Sequence, residues 1–218
     1  MNQKIRIAID GPSGAGKSTI AKKIAKILDI DYIDTGAMYR AIGYKLLKNN
    51  VQLDDSVGVH HLLENTQIDF DKGDVILDGI VVNDKIRTPE ISKIASHASA
   101  LQPVREKLVA LQKAMGQEKS VVMDGRDIGT NVLIDAEFKF FLTASPKERA
   151  YRRWLELREK NENITLEEVE EDIIKRDHND TTRALNPLRK AEDALELDTT
   201  GMSVEDVVEK ILEVLKWQ

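Results

Sequence analysis

Cysteine is absent from this sequence of 218 residues. A chain without cysteine forms no disulfide framework and no thiolate metal site, and we expect it in the reducing cytoplasm. No apolar run approaches the roughly 20 residues that a membrane-spanning helix needs, so we expect no membrane partner. Positive charge is in deficit: the formal net charge is -6. We therefore expect no nucleic-acid partner, because the surface as a whole does not attract a polyanion.

What remains is an ordinary globular composition. Apolar residues make up 41% of the chain and charged residues 32%, which is too apolar for a disordered protein. The length fits one domain with small insertions.

Short apolar runs alternate with segments of helical periodicity. This alternation predicts right-handed crossovers and an α/β fold with a parallel five-stranded sheet covered on both faces. The predicted strands are residues 4–9, 32–33, 120–123, 138–142 and 195–197, and the predicted helices include 18–28, 37–48 and 89–115. Residues 66–88 break the rhythm: three short runs separated by Asp- and Gly-containing turns predict a small antiparallel β meander.

Charge is unevenly distributed in the second half of the chain. Residues 147–160 carry six basic residues and three glutamates, and residues 161–174 carry six acids and no base. Two adjacent helices of opposite charge suggest a mobile helical hairpin. The alternative is two solvated helix faces tied by ordinary ion pairs.

The most informative segment is residues 11–18, which fit the pattern G-x-x-x-x-G-K-[ST] between a predicted strand and a predicted helix. The glycines let successive N–H groups point inward and form an anion site at the start of a helix. Lys17 would reach the β- and γ-phosphates, and the Ser18 hydroxyl would be a ligand for Mg²⁺. The predicted ATP-binding residues are Gly11, Pro12, Ser13, Gly14, Ala15, Gly16, Lys17, Ser18 and Thr19.

Such a loop occurs in several classes of protein. The sequence has neither the Asn/Thr-Lys-x-Asp segment of a GTPase nor the Leu-Ser-Gly-Gly segment of a transporter ATPase. A small kinase needs the loop, an acceptor pocket and arginines that neutralise the transferring phosphoryl group. A kinase for any of several small acceptors and an ATP-responsive binding module both stay open from the loop alone.

Three polar clusters supply candidate acceptor residues. They are residues 34–40 (Asp-Thr-Gly-Ala-Met-Tyr-Arg), residues 124–129 (Asp-Gly-Arg-Asp-Ile-Gly) and a polar stretch with Arg176, Asp177, Asp180 and Arg183, which we expect to be loop. Arginine suits a phosphate site because its planar fork donates two parallel hydrogen bonds. Asp124 could orient Mg²⁺ or bind the acceptor sugar. Asp10, just before the loop, is expected to be structural.

With these clusters the chain resembles the bacterial cytidylate kinases, which phosphorylate CMP and dCMP, over nearly its whole length. The resemblance rests on residues 10–17, 34–40, 86–88, 103–106, 124–129 and 191–195. It implies a three-layer P-loop kinase fold, a transfer of the γ-phosphoryl group of MgATP to CMP or dCMP, and Mg²⁺ as the metal. We expect a monomer.

The resemblance also implies roles for individual residues. Arg40 and Arg126 would clamp the CMP phosphate. The residues facing the cytosine edge would be Ser96, Arg105 and Asp127, and those lining the ribose and phosphate would be Thr35, Asp124, Arg176, Asp180 and Arg183. A short helical lid would close arginines over ATP, with Arg149, Arg152, Arg153 and Arg158 as its candidates. We predict Lys17, Arg126 and Arg153 as catalytic.

The same resemblance implies a division of the chain. Residues 1–35, 103–148 and 164–218 would form the ATP-binding core. Residues 36–102 would be an inserted acceptor domain that contains the meander, and residues 149–163 would be the lid.

Overall fold

Strands and helices alternate along the chain in a computed structural model that describes residues 4–71, 73–159 and 163–216. The strands are β1 (Arg6–Asp10), β2 (Asp31–Asp34), β3 (Ile68–Asp71), β4 (Asp74–Leu77), β5 (Ile80–Val81), β6 (Val121–Gly125), β7 (Phe138–Thr143) and β8 (Leu195–Asp198). The helices are α1 (Lys17–Leu28), α2 (Thr35–Lys48), α3 (Ser56–Glu64), α4 (Pro89–Ala98), α5 (Gln102–Glu118), α6 (Pro146–Glu159), α7 (Leu166–Thr182) and α8 (Val204–Leu215).

The larger sheet is built around β1. Its strand order is β2-β6-β1-β7-β8, and β1 pairs in parallel with β6 and with β7. Ile7, Ala8 and Ile9 are completely buried, as expected of a strand in a sheet covered on both faces. The register places Asp10 opposite Gly125 and Phe141, so the segments that follow these strands leave the same edge of the sheet.

The second sheet is the predicted meander. β3, β4 and β5 pair in that order, and both pairs are antiparallel. The structure therefore confirms the predicted fold class in its two main parts, a parallel five-stranded sheet and a small antiparallel one.

The chain divides into two compact units. The core unit contains the residues up to Asp31 and those from Ser120 onward, and the inserted unit is Tyr32–Lys119. The functional boundaries at residues 36–102 and 149–163 stay predictions, and residues 160–162 of the predicted lid lie outside the described residues.

Three local predictions need correction. The helix predicted over residues 89–115 is two helices, because Pro103 lacks an N–H donor and lies in the first turn of α5, where that donor is not needed. Helix α3 was not predicted, although Asp55 accepts a hydrogen bond from the Gly58 N–H as its N-cap. The stretch with Arg176, Asp177 and Asp180 is not loop, since α7 continues to Thr182.

Helices α6 and α7, the two helices of opposite charge, pack through an apolar cluster. Ala150 and Leu157 of α6 are buried with Val169 and Ile173 of α7, and Trp154 packs against them. Apolar burial therefore joins the two helices. The mobility of this pair stays a prediction.

Candidate active site

The phosphate loop connects β1 to α1 and depends on glycine. Gly11, Gly14 and Gly16 all have positive φ angles, of 147°, 75° and 82°. At Gly11 a Cβ atom would lie 2.0 Å from the Leu142 carbonyl oxygen, which is backbone of β7 and cannot move aside. The loop therefore runs against the neighbouring strand in a conformation that other residues do not adopt.

Lys17 lies inside this loop. Its side chain is 6% exposed, and its Nζ donates a hydrogen bond to the Pro12 carbonyl oxygen at 2.7 Å. Burial lowers the pKa of the Lys17 ammonium to about 7, and the positive charges of Arg126 and Arg176 act in the same direction. The side chain predicted to contact ATP is therefore folded onto its own loop and titrates near neutral pH.

Ser18 and Asp124 meet at the start of α1. The Ser18 hydroxyl donates a hydrogen bond to Asp124 Oδ2 at 2.8 Å. Asp124 lies on β6, next to β1, and is 4% exposed. A hydroxyl and a carboxylate in contact beside a phosphate loop are the oxygen donors that Mg²⁺ prefers.

Asp10 has a structural role, as the sequence predicted. It accepts hydrogen bonds from the Ile128 N–H at 2.9 Å and the Gly129 N–H at 2.8 Å. These two residues begin a single π-helical turn, Ile128–Val132, which the sequence did not reveal. Burial raises the pKa of the Asp10 carboxyl to about 6, although the two N–H groups oppose this shift. Asp10 thus fixes the backbone directly after Asp127.

Two partly buried arginines and two buried aspartates form a network beside that turn. Arg126 Nε donates to Asp180 Oδ2 at 2.8 Å, and Arg183 Nη2 donates to Asp127 Oδ1 at 3.0 Å. Arg183 Nη1 lies 3.7 Å from Asp180 Oδ1, which links the two pairs. Asn131 also donates to Asp127, from Nδ2 to Oδ2 at 3.1 Å.

The charges in this network stabilise one another. Burial alone would raise the pKa of the Asp180 carboxyl, but the positive charges of Arg126 and Arg176 outweigh it and hold the pKa below its ordinary value. Asp180 in turn raises the pKa of Arg126 against the effect of burial. The structure thus brings Arg126, Asp127, Asp180 and Arg183 together.

The candidate lid arginines have different environments. Arg149 is 5% exposed and donates to the carbonyl oxygens of Ala144 and Ser13. Arg152 donates to the hydroxyl and the carbonyl oxygen of Thr199. Arg158 stacks on the Trp154 ring at 4.7 Å from its centroid. Arg153 donates to Glu156 Oε2 at 2.8 Å, and among the described residues that surface carboxylate is its one recorded partner.

The inserted unit carries the other predicted acceptor residues. Asp34 is the N-cap of α2, where it accepts from the Ala37 N–H at 2.8 Å, and its Oδ2 accepts from Arg40 Nη2 at 2.9 Å. Arg87 Nη2 lies 3.5 Å from the same oxygen, a contact that the sequence did not predict. The neighbouring Thr35 is buried. Arg40 is thus already turned toward an anionic group at a helix N-terminus.

Arg105 and Ser96, the predicted base-reading pair of this unit, lie on α5 and α4. Arg105 is 2% exposed, donates from Nη1 to the Ser99 carbonyl oxygen at 3.3 Å and lies over the Tyr39 ring. Ser96 is half-buried, and its carbonyl oxygen accepts from the Ser99 hydroxyl. The roles of these residues toward a ligand stay predictions.

Two broader features bear on partners. Within residues 4–71, 73–159 and 163–216, no group of three or more His, Asp or Glu side chains could hold a metal ion. A metal at Ser18 and Asp124 would therefore take its other ligands from a bound phosphate and from water. In the same residues no helix combines the length and the apolar character that crossing a membrane requires.

A parallel sheet with a glycine loop, a buried loop lysine and a cluster of arginines at one edge defines a P-loop phosphotransferase. A family model described as "Cytidylate kinase" matches residues 7–217. The cytidylate kinase of Alkaliphilus oremlandii is 51% identical over 212 residues, 97% of this chain and 98% of that protein. That of Clostridioides difficile is 52% identical over 206 residues, 94% of this chain and 95% of that protein. The chain belongs to the cytidylate kinase family.

The chain is therefore a nucleoside monophosphate kinase, a transferase that uses ATP. A solved structure of an uncharacterized protein from Eubacterium ventriosum is also similar, with a TM-score of 0.56, 14% identity and coverage of 99% of this chain and 100% of the other. At that identity the likeness concerns the fold alone.

Proposed function

We propose that this protein transfers the γ-phosphoryl group of MgATP to CMP or dCMP, giving CDP or dCDP and ADP. The observation that carries the proposal is 51% identity across almost the full length of a protein named cytidylate kinase. Such a match spans both the phosphate loop and the acceptor arginines, so the whole site is compared rather than one motif.

On the ATP side, the loop N–H groups and Lys17 would bind the β- and γ-phosphates. The Ser18 hydroxyl and the Asp124 carboxylate would hold Mg²⁺, which would neutralise charge on the phosphates when bound. The contact between these two side chains supports a metal role for Asp124 over a sugar role. Lys17 would exchange its bond to the Pro12 carbonyl for a phosphate oxygen.

On the acceptor side, Arg126 and Arg40 would bind the CMP phosphate. Each guanidinium contacts an aspartate, which supports this role because the same donors would serve a phosphate oxygen. Thr35, Arg176, Asp180 and Arg183 would line the ribose and phosphate. Transfer then needs positioning and charge neutralisation, with no covalent enzyme intermediate.

Asp127, Arg105 and Ser96 would read the base. Cytosine presents an N4 amino donor beside an N3 acceptor, and uracil presents an O4 acceptor beside an N3 donor. A carboxylate accepts from the amino group but repels O4, and an arginine donates to N3 or O2 of cytosine. Each mismatched buried polar group costs about 1–3 kcal/mol. Two mismatches predict discrimination against UMP of about 10²-fold or more.

Arg153 is the best candidate for the catalytic lid arginine. An exposed ion pair such as the one with Glu156 contributes about 0–1 kcal/mol, so Arg153 can leave it for a phosphoryl group at little cost. Arg149 and Arg152 would each have to abandon carbonyl oxygens of the core unit.

A coupled assay of ADP release tests the proposal, with CMP, dCMP, UMP, AMP and shikimate as separate acceptors. We expect turnover with CMP and dCMP and much slower turnover with UMP. Preference for AMP or shikimate would indicate a kinase for another acceptor, and no turnover with any acceptor would indicate an ATP-responsive binding module. The cytoplasmic location, the monomeric state and the absence of nucleic-acid and membrane partners stay predictions.

A further inference from the structure

Ser13, in the phosphate loop between β1 and α1, has both of its backbone polar groups hydrogen-bonded to one ion pair. The Ser13 N–H donates to Asp177 Oδ1 at 3.1 Å, and the Ser13 carbonyl oxygen accepts from Arg149 Nη1 at 2.8 Å. The same Nη1 donates to Asp177 Oδ2 at 2.5 Å, which closes a ring of three residues from three separate segments. Asp177 lies in the third polar cluster, but the resemblance gives it no ligand contact of its own. Arg149 is one of four candidate lid arginines, and here it is bound to the loop backbone and to Asp177.

Arg149 is the residue of the ring that further contacts hold in place. Its Nε donates to the Ala144 carbonyl oxygen at 2.9 Å, and its side chain is 6% exposed. Its backbone also packs directly on the loop, because a Cβ atom at Gly14 would lie 2.8 Å from the Arg149 carbonyl oxygen. Arg149 therefore determines how far the loop can approach α6.

Asp177 supplies the negative charge of the ion pair with Arg149. Its side chain is 18% exposed, and Arg149 compensates its negative charge. An uncompensated carboxylate this close to a triphosphate site would repel the ligand. Paired with Arg149, it can accept the Ser13 N–H without leaving a net charge beside the loop. The ion pair thus gives the loop a hydrogen-bond acceptor and carries no net charge itself.

We propose that Asp177 is a positioning residue that, through Ser13 and together with Arg149, keeps the phosphate loop in its binding conformation before ATP arrives. This inference rests on the proposed function only in taking ATP as the ligand of the loop. Its effect is preorganisation: a loop already held open for phosphate loses less conformational freedom on binding. Asp177 acts on ATP binding through the loop backbone and touches no reacting atom.

The test compares Asp177→Ala with Asp177→Asn. Alanine removes both contacts, whereas asparagine keeps an oxygen that can accept the Ser13 N–H and loses the charge that pairs with Arg149. We expect Asp177→Ala to weaken binding of an unreactive ATP analogue about tenfold, equivalent to ~1.4 kcal/mol. Asp177→Asn should recover part of that loss. Exposed Asp172 on the same helix provides a matched control, and Asp172→Ala should bind like the unaltered protein.

Calorimetric titration with the ATP analogue measures the affinity directly, without any acceptor. Steady-state kinetics in the same variants then separates loop positioning from general damage to α7, which also carries Arg176 and Asp180. The proposal predicts a raised KM for ATP with a CMP KM changed less than about twofold. It is overturned if Asp177→Ala binds the analogue normally, if both KM values rise by one factor, or if asparagine restores nothing. Failure of the protein to phosphorylate CMP would refute the proposed function but leave the calorimetric result intact.

Discussion

The protonation of Lys17 gives a quantitative prediction about ATP binding. The Lys17 pKa is lowered to about 7, chiefly by burial, with Arg126 adding to the effect. A triphosphate placed against the ammonium replaces that environment with negative charge and must raise the pKa. A group whose pKa rises on binding takes up a proton, so binding of ATP above pH 7 should be coupled to proton uptake from the solvent.

The magnitude follows from the position of that pKa. With a pKa of about 7, most Lys17 side chains in the free protein would be neutral at pH 8, so uptake there should approach one proton per ATP bound. At pH 6 most carry the proton already, and uptake by Lys17 should be small. The affinity for ATP should therefore fall as the pH rises. Each pH unit above 8 should weaken binding by up to about tenfold, because less of the protonated form of Lys17 is available.

Isothermal titration calorimetry in two buffers with different ionisation enthalpies measures this uptake as the difference in apparent binding enthalpy. An unreactive ATP analogue at pH 8 suits the experiment, since a terminal phosphate with a pKa of roughly 6 is then ionised before and after binding. Lys17→Met is the control, because it removes the titrating group and should bind weakly without proton uptake. Binding by the unaltered protein with no uptake at pH 8, or equal uptake in the methionine variant, would refute the reasoning.

Three further predictions concern single residues. Gly11→Ala should lower the free energy of unfolding, measured in urea, by roughly 3 kcal/mol or more, because the added Cβ would meet the backbone of β7. Gly16→Ala is the control: it has open space around the added Cβ and should cost only about 1–2 kcal/mol for its positive φ. Equal losses in the two variants would contradict the close approach of Gly11 to β7. Asp127→Asn should shrink the preference for CMP over UMP in kcat/KM, chiefly by loss of CMP activity; equal decline with both would mean that Asp127 only pairs with its neighbouring arginine. Arg153→Ala should lower kcat by about 10²-fold or more, while Lys147→Ala on the same helix should not; similar kcat values in both variants would exclude Arg153 as the catalytic lid arginine.

The sequence predicted the parts of this molecule that depend on local signals. One continuous segment contains β1, the glycine loop and α1. Its sequence pattern predicts both the local structure and the class of ligand that the loop binds. The meander was predictable for the same reason, because Asp-Gly turns and short β-branched runs are adjacent in the chain. The ends of the five strands predicted for the larger sheet lie within two residues of the observed ends.

Contacts between distant segments could not be predicted in this way. Asp177 and Ser13 are separated by 164 positions, and Asp10 and Gly129 by 119. Nothing local to Asp177 distinguishes it from the exposed acids of the same helix. The π-helical turn after Asp127 was also missed, since it is held by Asp10 from another strand rather than by a periodic pattern of its own.

Helix α7 shows why the polar stretch before Asn186 was misread as loop. Apolar periodicity is the main sequence signal for a helix, and the last two turns of α7 carry charge where that signal would be apolar. Asp177 and Asp180 are three positions apart and therefore share one face of the helix. That face contacts Ser13 after β1 and Arg126 after β6, and Arg183, the C-cap, contacts Asp127. Polar side chains on that face can hydrogen-bond to these segments, whereas apolar side chains could not. The missing hydrophobic pattern was itself a consequence of the position of α7 over the carboxyl edge of the sheet, where its carboxylates meet the phosphate loop and the acceptor arginine.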